Sequence, residues 1–165
     1  MIPVFQTISD SENGNCLQAV IASLFDMPLD EVPHFISFKD KWFSEFRKFI
    51  TSKNYKYNNG LVNKKYTILS FPTDDCFKKS KWHRSCLITP KCLYKHAGIN
   101  GYFWASVLSP KYFKWDSRTT HAVIIDRDLN IVHDPYQGYS KILQYPLADI
   151  IEYNGIIDIQ LINPI

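Results

Sequence analysis

Apolar residues recur every three to four positions in the first third of this chain, and at alternate positions or in short runs in the last third. That change of period decides the architecture, because a helix repeats at 3.6 residues and a strand at two. Leu17, Val20, Ile21, Leu24 and Phe25 form one helical stripe over roughly residues 16–25, among the small residues Ala19, Ala22 and Ser23. Asn13-Gly14-Asn15 offers a turn and an asparagine in N-cap position, and Asp26-Met27-Pro28 stops the helix. Leu29 to Phe35 reads as one or two short helical turns. A second helix is expected over roughly 38–52, with Ser37 and Asp40 resembling a capping box and Trp42, Phe43, Phe46, Phe49 and Ile50 as its buried stripe.

The strands follow. Residues 66–69 read as a short strand and 101–108 as a buried one, rich in aromatic and branched side chains. Residues 121–126 and 130–133 form a hairpin around a turn at Arg127-Asp128, and 156–162 alternates apolar with polar residues. Helices first and antiparallel strands later define an α+β class, and 165 residues without repeats or linkers suit a single domain over 1–165.

Charge and composition exclude several function classes. The net charge of +3 is spread over 19 basic and 16 acidic residues, which argues against nucleic acid as a partner. The one short basic run, Lys78, Lys79, Lys81 and Arg84, reads as a solvated loop. No apolar run approaches the roughly 20 residues that cross a bilayer, and the N-terminus lacks a basic region followed by an apolar stretch. The expectation is a protein of the cytoplasm with no membrane partner. In that reducing compartment its four cysteines are thiols, metal ligands or catalytic groups rather than disulfides.

One cysteine stands apart. A thiol attacks as its thiolate, and the unpaired N–H groups of a helix N-terminus stabilise that charge. Cys16 falls at the expected first turn of the first helix, whereas a cysteine that merely packs would more naturally sit within the stripe. Of five histidines, His121 opens the apolar run His121-Ala122-Val123-Ile124-Ile125. If Arg127-Asp128 is a two-residue turn, His121 faces Asp134 directly, with Cβ atoms about 5 Å apart. A carboxylate there would hold one imidazole nitrogen and leave the other for a thiol. A slip of one residue would instead present His133 or Pro135, and Asp126 lies too far along the strand to orient His121.

Gly14-Asn15-Cys16-Leu17-Gln18-Ala19, then Met27-Pro28-Leu29-Asp30-Glu31-Val32-Pro33, resembles the start of a group of small phage and bacterial proteins. His121-Ala122-Val123 with Val132-His133-Asp134-Pro135 is similar to their later segment. Both segments resemble papain-like cysteine peptidases, above all the bacteriocin-processing C39 type. The resemblance covers roughly residues 1–35 and 118–138 and leaves 54–117 unmatched. It implies a papain-like fold, with N-terminal helices on an antiparallel sheet, and a Cys-His-Asp triad of Cys16, His121 and Asp134 that needs no cofactor. It also implies an oxyanion-stabilising glutamine, for which Gln6 is the upstream candidate, ten residues before Cys16 rather than a few. An ordinary polar role on an N-terminal strand is the competing reading of Gln6.

Cys76, His83, Cys86, Cys92 and His96 bring five possible zinc ligands within 21 residues. Their spacing matches no common zinc finger and includes no CxxC, so the expectation is scattered loop residues and no bound metal. Two functions of different class remain. One is a cysteine-dependent hydrolase, or a transamidase if an amine replaces water, acting on a peptide, isopeptide or related amide bond of a protein or peptide substrate. The other is a phage-type papain-like pseudoenzyme that binds and modulates a host protein, placing the chain in the host cytoplasm. The aromatic-rich stretch Tyr94 to Trp115 would supply its surface, although aromatic stripes more often form core.

Overall fold

The computed structural model describes residues 1–10, 12–62, 93–109, 120–136 and 156–165. Within them the chain forms α1 (Cys16–Leu24), two 3-10 segments (Leu29–Glu31 and Phe35–Lys41), α2 (Trp42–Ser52) and five strands. These are β1 (Tyr55–Val62), β2 (Phe103–Leu108), β3 (Thr120–Ile125), β4 (Ile131–His133) and β5 (Ile156–Pro164). All pair antiparallel in the order β1-β5-β2-β3-β4. The helices and this sheet make the α+β class of the sequence reading. No helix among the described residues is long and apolar enough to cross a membrane.

Alternation along the strands sorts their residues into two cores. Trp104, Ala122, Ile124 and Ile162 face the helices and pack with Val20, Ile21, Leu24, Phe46 and Ile50. Phe103, Ala105, Val107, Val123, Ile125, Ile159 and Leu161 pack together on the opposite face. Both faces are therefore dry, which is why β3 reads as an unbroken apolar run rather than an alternating one.

The end of α1 is built by a left-handed residue. Asp26 has φ of 54°, the Met27 N–H bonds the Ala22 carbonyl at 2.9 Å, and the Asp26 N–H bonds that of Ser23 at 3.3 Å. This pair of bonds satisfies carbonyls that a helix end leaves open. The Asp26 carboxylate also holds the chain's N-terminal amine, 3.3 Å away.

The second helix departs from its expected start. Lys39 adopts φ of 48°, and the helix proper begins at Trp42 rather than near residue 38. Ser37 and Asp40 form no capping box, because the Ser37 hydroxyl donates instead to the His34 carbonyl at 2.7 Å and closes the preceding turn. β1 has little signal in the sequence. Its pairing with β5 shifts between Asn58 and Leu61, and at Gly60 a Cβ would stand 2.8 Å from the Ile159 carbonyl oxygen. The strand irregularity thus needs glycine at position 60. The strand expected over 66–69 lies outside the described residues.

The β3–β4 connection is longer than a two-residue turn. Asp126 and Asn130 bracket three residues, with the Asp126 N–H bonding the Asn130 carbonyl at 3.0 Å and Leu129 at φ of 67°. The Asp126 Oδ1 accepts from the N–H groups of Asp128 and Asn130, both at 2.9 Å. A three-residue loop ending in a left-handed residue is a common hairpin, usually with glycine in the last position; here Leu129 takes it and is buried in the core.

Candidate active site

Cys16 is the first residue of α1, and the segment before it explains why the helix starts there. A Cβ at Gly14 would lie 2.5 Å from the Asp10 carbonyl oxygen, so only glycine lets the turn at residues 10–14 close. Asn15 is 2% exposed and spends its whole amide on neighbours. Its Oδ1 accepts from the N–H groups of Thr7 (3.0 Å) and Ile8 (2.8 Å), and its Nδ2 donates to Thr7 Oγ1 and Gln18 Oε1, both at 3.1 Å. The side chain therefore does not cap α1, although Asn15 occupies the N-cap position. It ties the N-terminal segment across the helix start instead.

That segment is a strap between α1 and the end of β4. The Val4 N–H bonds Ser23 Oγ at 2.8 Å, and the Val4 carbonyl accepts from His133 Nε2 at 2.9 Å. The Phe5 ring packs edge-on to His133, and the Gln6 N–H donates to the Pro135 carbonyl at 2.9 Å. His133 is thereby spent on structure. Gln6 Nε2 donates to the Ile8 carbonyl at 3.3 Å, the same oxygen that accepts from the Asn15 N–H at 3.1 Å. The Gln6 amide thus stands at the start of α1 despite its distance in sequence from Cys16. Its Oε1 is buried with no partner among the described residues.

His121 and Asp134 meet as expected, but not by the expected register. The longer loop and a shift between Ile124 and Ile125 place Ile124 opposite His133, two positions beyond the partner a two-residue turn would give. Carried one step further, this register sets Asp134 opposite Val123 rather than His121. A two-residue offset keeps every side chain on its face, where a one-residue slip would reverse it. Asp134 is then diagonal to His121 on the same face, within reach of an imidazole. The His121 Nε2 lies 2.8 Å from Asp134 Oδ1. Asp134 is fixed in turn by the Tyr136 N–H, which donates to the same oxygen at 2.7 Å. Both side chains lie deep, 9% and 10% exposed, rather than on an open rim.

With Nε2 engaged by Asp134, the His121 Nδ1 is left for the thiol, and Cys16 hydrogen-bonds the His121 ring. Burial pushes the Cys16 thiol up, but the His121 hydrogen bond, the His121 charge and backbone hydrogen bonds from Ala122 and Leu17 outweigh it, and the thiol ends below its usual range. Burial likewise opposes the charged form of His121. The hydrogen bond to Asp134, then that to Cys16 and the charges of both, raise the imidazole to about 9. The two shifts agree in sense, since each partner favours the ionised form of the other. The arrangement can hold a thiolate beside an imidazolium, which is a nucleophile beside a proton donor.

Of the possible zinc ligands only His96 is among the described residues; Cys76, His83, Cys86 and Cys92 lie outside them. His96 Nδ1 stands 3.5 Å from Asn163 Nδ2. No cluster of metal-binding side chains occurs among the described residues. The role of Asn15 as a clamp had no separate signal, because capping and clamping ask for the same residue type. Comparison with known protein families, curated proteins and solved structures yields no match.

Proposed function

We propose that this chain is a papain-like cysteine-dependent hydrolase of a peptide, isopeptide or related amide bond. The observation that carries the reading is the continuous hydrogen-bonded chain from the helix-opening Cys16 through His121 to Asp134. The Cys16 thiolate attacks the carbonyl carbon and the imidazolium of His121 gives its proton to the departing amine, leaving a thioester. His121 then takes a proton from water, whose oxygen attacks the thioester, and the acid leaves as Cys16 is restored. Asp134 holds the tautomer and the ring, and stabilises the imidazolium. The Cys16 N–H and the Gln6 amide are the oxyanion donors, the second supported by its place at the start of α1.

Iodoacetamide at pH 6.5, with peptide mapping, tests the pair directly. Cys16 should alkylate at least about tenfold faster than Cys76, Cys86 or Cys92, since a thiol of ordinary pKa is almost wholly protonated at that pH. Equal rates at all four cysteines would remove the enzymatic reading and leave a binding module with a papain-like shell.

A further inference from the structure

Among the described residues the triad leaves a half-buried carboxyl unused. Asp158 on β5 pairs directly with Ser106 on β2, and Ser106 pairs directly with Ala122 on β3, so the three form a row across adjacent strands. Alternation puts this row on the helix-facing side of the sheet, where Trp104, Ala122 and Ile124 also lie. Ala122 is one of the two residues whose backbone hydrogen-bonds the Cys16 sulfur. Two strand spacings bring Asp158 to about 10 Å from Ala122. α1 packs mainly on β3 and α2 on β1, which leaves β5 between the two helices, and Asp158 keeps partial exposure there.

Among the described residues the partners of Asp158 are neutral. Gln160 Nε2 donates to Asp158 Oδ1 at 2.8 Å, Ser106 hydrogen-bonds the carboxylate, and Tyr57 Oη donates to Gln160 Oε1 at 2.7 Å. These bonds orient the carboxylate without neutralising it. A second polar group on that face is unspent: Trp104, opposite Gln160, is 7% exposed and its indole N–H has no partner among the described residues. A half-buried carboxyl held by neutral partners among the described residues, about 10 Å from the Ala122 backbone that meets the Cys16 sulfur, fits a cation that arrives from outside.

We propose that Asp158 is a specificity-determining residue that receives a lysine or arginine side chain of the amide substrate, one or two residues from the scissile bond. An extended substrate advances about 3.4 Å per residue, so the basic side chain of such a residue spans from the thiol to Asp158. The ammonium or guanidinium replaces lost water with a charge-assisted hydrogen bond. This inference rests on the cysteine-hydrolase reading, and its test separates the two.

Peptidyl acyloxymethyl ketones carrying lysine, arginine or norleucine at the last or next-to-last position would be compared for their rates of labelling Cys16, with iodoacetamide as a peptide-free reference. Lysine or arginine should label at least about tenfold faster than norleucine at one of the two positions. In Asp158→Asn that ratio should fall to near one, and in Asp158→Glu a preference should survive. The ratio is internal to each protein, so a general loss of labelling in a variant cancels. A preference absent from the unmodified protein, or unchanged in Asp158→Asn, overturns the role of Asp158 while normal iodoacetamide labelling leaves the hydrolase reading standing. A Cys16 no faster than the other cysteines toward iodoacetamide overturns both.

Discussion

Two polar clusters occupy the same sheet, and they handle buried charge in opposite ways. At the end of β3, Cys16, His121 and Asp134 offset one another's burial by pairing opposite charges, and the thiol moves down while the imidazole moves up. On β5, burial raises Asp158, and the hydrogen bonds from Ser106 and Gln160 only partly oppose it. The same burial raises the phenol of Tyr57 to about 12, with the Asp158 charge adding to it. A cluster that closes its own charge balance suits the proposed chemistry between its members. A cluster that leaves one charge open is built to be completed, or is tolerated at a cost to stability.

The sharpest way to break the first half of this contrast is His121→Ala. Turnover should fall by about four to six orders of magnitude, because nucleophile activation and leaving-group protonation are lost together. Alkylation of Cys16 at neutral pH should fall at least about tenfold, since burial then acts on the thiol alone. Retention of fast alkylation would mean that the helix N-terminus, and not the imidazole, lowers the thiol.

Asp134→Asn should cost less, about two to four orders of magnitude in turnover, because the base remains while its orientation and its charge partner are weakened. The pH profile supplies the sign. A raised imidazole keeps its proton up to about 9, so hydrolysis by the unmodified protein should hold through neutral pH and decline through about 9. Removing the Asp134 charge takes away a raising influence, and the alkaline limb should move to lower pH. An unmoved limb would show that Cys16 alone holds the imidazolium.

Asn15→Ala addresses the strap rather than the chemistry. It removes four hydrogen bonds and leaves the N–H groups of Thr7 and Ile8 without their acceptor. A loss of about 2–4 kcal/mol in denaturant unfolding is expected, with faster amide exchange at Thr7 and Ile8. A smaller loss with unchanged exchange would show that Val4, Gln6 and His133 hold the strap without it.

The first cluster was far more legible in the sequence than the second. A cysteine after Gly-Asn at a helix start and a histidine opening a strand each stand out alone, and the His-to-Asp spacing survives a wrong turn because the error was two residues and face parity was preserved. The physical route was still misread. Arg127-Asp128 looks like a sufficient turn, and nothing in the residue type of Leu129 announces a left-handed position. Gln6 was reachable only as the single upstream glutamine, since the nine intervening residues reveal neither the Asn15 clamp nor the pairing of Gln6 with Pro135. Asp158 was invisible in kind: it reads as the polar beat of an alternating strand, and only the pairing of β5 with β2 brings it to Ser106. Alternation tells which residues share a face, and strand order tells which faces share a neighbour; the second is not local information.

The smallest effect tests the second half of the contrast. A carboxyl raised by burial is better tolerated protonated in the folded chain than in the unfolded one. Its contribution to stability is therefore fully present below the ordinary carboxylate range and is lost as pH rises through the raised value. At neutral pH the charged form weighs against folding. Asp158→Asn keeps the shape and an oxygen acceptor for Gln160 while removing that charge, so it should raise the thermal midpoint at pH 7 by about a few degrees. The gain should shrink as pH falls through the raised value, where the native carboxyl takes up its proton and the two chains become alike. Thermal unfolding of both proteins across pH 4–8 reads the difference directly, without substrate. A midpoint lowered at pH 7 would mean that the carboxylate is net stabilising as an anion. The charge on β5 would then be balanced within the chain after all, and the contrast between the closed and the open cluster would collapse.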